Sequence, residues 1–318
     1  MASPLLRLGT RGSALALAQA AELRARLGMA HAELAAPGAI EIVTIRTSGD
    51  RLASLSLADA GGKGLFTKEI EEALLAGAID LAVHSMKDMP TQVPAGLAIA
   101  CHLPREDPRD ALVASGGIAR LADLPRGATI GTSSLRRKAQ LLYARPDLRI
   151  VPLRGNVETR LKKIAEGGIA ATLLAVAGLK RLGRADRIAA VLAPAEMLPA
   201  VAQGVIAVET RAEDARARAW LAPLDDAATS ACAAAERALL AALDGSCRTP
   251  IAALARLEGE RIGLDAMVIR PDGRVRFCAR RDGARGDAAR LGAEAGAELK
   301  ALAGADFFTL EPAAEQGS

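Results

Sequence analysis

Ala128-Thr129-Ile130-Gly131-Thr132-Ser133-Ser134-Leu135-Arg136-Arg137-Lys138 leads from a short apolar strand over 128–131, through a Gly-Thr-Ser-Ser turn, into a helix. Serine and threonine at such a junction accept hydrogen bonds from the first helical N–H groups. The N–H groups left over in the first turn attract anions. The two arginines that follow can each hold a carboxylate or phosphate through paired hydrogen bonds. A second copy of the device stands near the N-terminus, where Leu8-Gly9-Thr10-Arg11-Gly12-Ser13 again carries a strand through Gly-Thr into a helix start. So short a match fits coincidence, and it equally fits two similar domains that each present an anion cradle.

Outward from these junctions, strands are expected over 5–8, 40–46, 79–84, 97–100, 111–114, 149–152, 171–175 and 205–209. Helical patterns over 13–27, 67–76, 135–144 and 157–165 fall between them. Short strands alternating with longer helices read as an α/β fold. Arg105-Glu106-Asp107-Pro108-Arg109-Asp110 is charged and holds a proline, so it reads as a crossing between domains, with Gln203-Gly204 as the return. The pattern then changes. An Ala-rich helix over 227–243 precedes the loop 244–250, alternating residues around Pro271-Asp272-Gly273 make a hairpin, and a helix over 284–302 follows. The expected division is domain 1 over 1–104 and 204–222, domain 2 over 105–203, and a small α+β domain 3 over 223–318.

Composition sets the bounds. The chain has 318 residues, of which 51% are apolar, ample for buried cores, with disorder expected only at the tail, 311–318. Residues 109–199 carry 16 Lys and Arg against 7 Asp and Glu, whereas the whole chain is only +4. The positive charge is therefore concentrated, and the partner should be strongly anionic. Aromatic residues are 2% of the chain, which counts against single-stranded nucleic acid, whose bases need stacking platforms. The longest charge-free stretch, 89–104, holds three prolines and is too short for a membrane span. Residues 7–20 mimic a secretion signal, but the apolar period continues through Leu23 and Leu27 as in an amphipathic helix. Cys101, Cys232, Cys247 and Cys278 are widely spaced, as in a reducing compartment, and three histidines show no metal-ligand spacing.

Three segments can carry chemistry. Ala82-Val83-His84-Ser85-Met86-Lys87-Asp88-Met89-Pro90 lies at the end of an expected strand, where α/β sheets place ligands. Asp88 there fits a general acid or base, an anion facing developing positive charge, or a turn cap. Cys247 sits in a Gly-Ser loop beside Arg248, a setting that favours thiolate, while the other three cysteines fit buried, inert positions. Gly61-Gly62-Lys63-Gly64-Leu65-Phe66 lacks Walker spacing and reads as a flexible loop whose lysine reaches an anion.

In order along the chain, the segments at 11–13, 61–66, 84–90, 105–110, 131–137, 153–160, 174–183, 198–204 and 245–250 together resemble the porphobilinogen deaminase (hydroxymethylbilane synthase) family. The resemblance implies two periplasmic-binding-protein-like α/β domains with a cleft between them, plus a small third domain. It implies a dipyrromethane cofactor joined by a thioether to Cys247. It also implies stepwise joining of four porphobilinogens, with release of ammonia at each step and hydrolysis to free hydroxymethylbilane. Asp88 matches the family's catalytic aspartate. Arg11, Ser13, Lys63, Lys87, Thr132, Ser133, Ser134, Arg136, Arg137, Arg154, Gly155, Arg160 and Gln203 match cofactor-binding positions, and Phe66 belongs to the loop over the cleft. One departure stands out: the commonest family pattern has a lysine four residues before Lys63, and this chain has Asp59. The resemblance further implies a cytoplasmic, monomeric transferase of tetrapyrrole and heme biosynthesis that needs no metal, nucleic acid or membrane. A non-catalytic two-lobed anion-binding protein is the alternative, and it gives no role to Asp88 or Cys247.

Overall fold

The computed structural model describes residues 4–51, 67–245 and 249–308. Among them the strands are β1 (Leu6–Arg11), β2 (Ile40–Ile45), β3 (Leu81–Ser85), β4 (Leu97–His102), β5 (Asp110–Ala114), β6 (Thr129–Gly131), β7 (Arg149–Val151), β8 (Ala171–Ala175), β9 (Ala190–Val191), β10 (Ile206–Arg211), β11 (Ile251–Glu258), β12 (Arg261–Ile269) and β13 (Arg276–Ala284). The helices are α1 (Ala14–Ala30), α2 (Ser48–Arg51), α3 (Lys68–Leu75), α4 (Leu135–Ala144), α5 (Val157–Ala165), α6 (Val176–Arg181), α7 (Ala215–Leu221), α8 (Ala227–Ala242) and α9 (Ala288–Ala303). The fold is mixed α/β, as expected.

The chain divides into two compact units. The first comprises Met1–Pro108, Ala175–Arg187 and Ala202–Ala233. Its sheet has the order β2-β1-β3-β10-β4, with β1, β2 and β3 parallel and β10 antiparallel to both neighbours. Strand alternation splits its core between two faces. Leu81 and Val83 of β3 pack with Leu6, Leu8, Leu23 and Leu27 beneath α1, whereas Ala82 packs with Ile70 and Leu74 of α3. Each fully buried leucine stabilises the fold by about 1.5–3 kcal/mol. The segment that mimics a secretion signal is thus β1 and α1, structural elements of this core.

The second unit comprises Arg109–Leu174, Ile188–Val201 and Ala234–Ser318. It holds a second five-stranded sheet, β7-β6-β8-β5-β9, and a separate antiparallel sheet, β11-β12-β13. Leu112, Ile130, Leu141 and Leu173 form the core of the five-stranded sheet. In the small sheet, β11 was missed by the sequence reading. Its Ala, Leu and Arg carry no strand signal, and pairing with β12 from Ile251↔Val268 to Glu258↔Arg261 makes it a strand. The expected hairpin is longer than its alternating residues indicated, because β13 continues to Ala284 and α9 therefore begins at Ala288 rather than 284. Cys278, expected to be buried, is exposed on edge strand β13.

Candidate functional site

The first unit carries one polar recess at the ends of β1 and β3. Strand β1 ends on Arg11, and the chain turns at once into α1, whose first turn is capped by the Ala16 N–H donating to Ser13 Oγ at 3.3 Å. Beyond β3, Met86 and Met89 are 2% and 4% exposed and pin a single 3-10 turn to the core. Of the two residues between them Lys87 is half-buried and Asp88 is exposed, while the backbone of the turn is anchored. Arg11, Ser13, Gln19, His84, Ser85 and Asp88 line the recess together. Among the described residues, the Asp88 carboxylate has neither a hydrogen bond nor an ion pair.

A buried polar layer backs this recess. The Gln19 amide and the Ser85 hydroxyl hydrogen-bond each other, at 2.9 and 3.1 Å. His84 Nε2 lies 3.1 Å from Glu209 Oε2, with both side chains at most 5% exposed. Glu71 on α3 is also buried. Burial first, and the nearby Glu209 charge in addition, push its carboxyl above the usual carboxylate range, against opposing contributions from Thr67 and His84. Sequence reasoning passed over Gln19, Glu71 and Glu209. The available signal was a lone polar residue inside the apolar run 14–20 for Gln19 and directly after the apolar run 205–208 for Glu209; Glu71, one of several acids on α3, had none.

The second unit repeats the strand–cap–helix device. Strand β6 ends on Gly131, and Ser134 Oγ accepts from the Arg137 N–H at 3.4 Å to cap α4. Both junction glycines are required by packing: a Cβ on Gly9 would sit 2.3 Å from Ile79 Cδ1, and one on Gly131 would sit 2.8 Å from Leu153 Cδ2. Thr132 is buried, and Ser133 donates from Oγ to the Leu153 carbonyl at 3.1 Å. Asn156 caps α5 by accepting from the Thr159 N–H at 2.9 Å, and Arg160 Nε donates to the Gly155 carbonyl at 2.9 Å. Arg154 is half-buried and, among the described residues, its charge has no counter-charge or hydrogen bond.

Arg136 and Arg137 are committed to Asp110, the first residue of β5. Arg136 Nη1 lies 2.8 Å from Asp110 Oδ2, Arg137 Nη2 lies 2.7 Å from Oδ1, and Asp110 is fully buried. Burial alone would raise the Asp110 carboxyl. The two guanidiniums override it and hold the group well below the usual carboxylate range. Burial lowers the Arg136 guanidinium against the opposing pull of Asp110. Arg136 also donates to the Leu198 carbonyl at 2.8 Å, and its buried Nε has no hydrogen-bond partner among the described residues. The sequence singled out the arginines but not their counter-ion, which stands at the edge of the charged crossing segment.

Gln203 was expected among the cofactor ligands, yet it is 1% exposed and donates from Nε2 to the Pro108 carbonyl at 2.8 Å. Arg105 Nε donates to the Gln203 carbonyl at 2.9 Å, so this side chain and its backbone tie the two crossing segments together. Lys87 is half-buried beside Asp88. Asp59, Lys63, Phe66 and Cys247 lie outside the described residues. Cys101 and Cys232 are buried, and burial pushes the Cys101 thiol up to about 12.

Two family models match the chain: the porphobilinogen deaminase dipyrromethane cofactor binding domain over residues 6–219, and the porphobilinogen deaminase C-terminal domain over residues 230–301. The chain belongs to the porphobilinogen deaminase family. Porphobilinogen deaminase of Paracoccus denitrificans is 55% identical over 95% of this chain and 96% of its own length. The chloroplastic porphobilinogen deaminase of Oryza sativa is 50% identical over 96% of this chain and 86% of its own. Among solved structures, a TRAP periplasmic solute binding protein from Desulfovibrio salexigens superposes with a TM-score of 0.43 at 11% identity, over 70% of this chain and 73% of its own. As a porphobilinogen deaminase the chain is a transferase with a dipyrromethane cofactor, and the non-catalytic alternative loses its support. Among the described residues no helix is long and apolar enough to cross a membrane, and no His, Cys, Asp or Glu cluster could hold a metal ion.

Proposed function

We propose that the chain is a hydroxymethylbilane synthase in which Asp88 is the catalytic residue and Cys247 carries the cofactor. The observation that carries this reading is Asp88 itself, an unpaired carboxylate held on an anchored turn at the wall of a polar recess. Loss of ammonia from porphobilinogen leaves positive charge on the pyrrole nitrogen. A fixed carboxylate stabilises that charge better than water does, because it needs no reorganisation as the charge develops. Dipyrromethane, when bound, supplies the pyrrole carbon to which the first substrate is joined.

Each unit by itself offers donors of the kind such a group needs, since its rings bear carboxylates: the first has half-buried Arg11 and the capped start of α1, the second half-buried Arg154 and the capped starts of α4 and α5. Arg11, Ser13, Thr132, Ser133, Ser134, Arg154, Gly155 and Arg160 are assigned to anion binding, with Lys63 and Lys87 in support. Arg136 and Arg137 act through α4, which their pairing with Asp110 fixes. Gln203 serves the crossing. The three-domain division, a monomeric state and a cytoplasmic setting complete the reading, the last supported by two buried cysteines that form no disulfide among the described residues. Nucleic acid has no place in it, since Arg136 and Arg137 are buried rather than displayed.

Intact mass of the purified holoenzyme tests the assignment. It should exceed the sequence mass by one dipyrromethane, and Cys247→Ser should remove that excess together with activity. A fully active wild-type enzyme at the bare sequence mass would overturn it.

A further inference from the structure

We propose that His84 is a second acid–base residue of the Asp88 recess, held in place by Glu209; the inference rests on the deaminase reading above. His84 is the penultimate residue of β3 and is one of the residues that line the recess holding Asp88. Its Nε2 faces Glu209 Oε2 at 3.1 Å, and Glu209 is completely buried on the neighbouring strand β10. An imidazole beside a carboxylate donates to it, so Nε2 bears the hydrogen and Nδ1 is the ring atom left to exchange protons.

Two observations argue that this pair is not there to hold the fold. Glu209 Oε1 has no hydrogen-bond partner among the described residues, so the carboxylate is desolvated without full compensation, an expensive way to stabilise a core. The corresponding strand of the second unit, β8, aligns with β3 through Gly9↔Ala82 and Gly131↔Thr172. It carries Leu174 where β3 carries His84, 3% exposed, so the architecture is satisfied by an apolar side chain.

The charged surroundings suit a group that gives and takes protons. Facing it are Glu209 from β10, Glu71 from α3, Arg11 at the end of β1 and Asp88 after β3, while α1 contributes the uncharged Gln19. Burial first, and the nearby Glu209 charge in addition, push the Glu71 carboxyl above the usual carboxylate range.

Each condensation breaks the C–N bond of the substrate's protonated aminomethyl group, and the electron pair leaves on ammonia. A C–C bond then forms, the C–H bond at the substituted carbon breaks, and its electron pair restores the aromatic ring. His84 Nδ1 takes up that proton and passes it to the departing ammonia, which leaves as ammonium. Asp88 meanwhile faces the positive charge on the pyrrole nitrogen. One carboxylate need not then perform both tasks.

The test uses holoenzyme of wild type, His84→Gln and Glu209→Gln, each checked by intact mass for its dipyrromethane. His84→Gln should lower kcat by about 10- to 100-fold, leave KM within about twofold, and flatten the pH profile of ammonia release. Glu209→Gln should lower kcat less and should abolish a downfield ring N–H proton resonance present in the wild type. A parallel pH profile in His84→Gln overturns the assignment, as does persistence of that resonance in Glu209→Gln, which remains decisive if His84→Gln fails to fold. A wild-type enzyme lacking both the mass excess and ammonia release would instead overturn the deaminase reading.

Discussion

The two strand–cap–helix junctions share a backbone and differ in where they put charge. At the β1–α1 junction the cation, Arg11, is the last strand residue and borders the recess, and the carboxylate of Asp88 stands unpaired beside it. At the β6–α4 junction the cations lie inside the helix and are neutralised by a buried carboxylate of their own, Asp110. Carried one strand further, the correspondence places Leu174 where the first unit has His84. The same fold element thus leaves an acid unpaired in one unit and seals one between two arginines in the other. What separates them is whether the acid has a partner.

The sharpest break of this comparison is Asp88→Asn. Removing an unpaired surface carboxylate should leave folding and the cofactor mass intact while lowering turnover by about 100- to 10,000-fold, measured as ammonia release. Near-normal turnover would mean that the two junctions differ in charge but not in role.

Asp110→Asn should do the reverse. It strands two buried guanidiniums, so urea denaturation should show a loss of about 3–5 kcal/mol. Because the folded carboxyl lies below its unfolded value, its contribution is present above the ordinary carboxylate pKa of about 3.9 and is lost as pH falls through the lower folded value. The gap between wild type and Asp110→Asn should therefore stay constant from neutral pH down to about 5 and close only in strong acid. A gap that closes near neutrality would break the pairing argument.

The smallest effect sharpens the likeness rather than the difference. Ser13→Ala and Ser134→Ala each delete one helix cap of similar geometry, and each should cost about 1 kcal/mol in thermal or urea denaturation. A clear inequality would show that one cap is also held by its neighbours.

Much of this was legible in the chain. Gly-Thr followed by serine, read twice, marked both junctions, because N-capping and strand-end glycines are local chemistry. The motif around Asp88 and the arginine pair stood out for the same reason. The pairing of Arg136 and Arg137 with Asp110 did not, since their partner lies 26 and 27 positions away and only the sheet order β8-β5 brings that strand to the helix. The hydrogen bond from Gln203 to the Pro108 carbonyl was hidden on the same ground, since 95 positions separate the two residues.

The sequence by itself determined the alternation of elements, the capped helix starts and the family, because these depend on neighbouring residues and on their order. The tertiary structure decided which charges are spent and which are kept. Glu209 lies 125 positions from His84, and burial at that distance governs whether a side chain is a counter-ion, a proton holder or a ligand. Local sequence does not encode desolvation. Asp88 and Asp110 are the same residue type, and only packing leaves one unpaired at a recess and seals the other between two arginines.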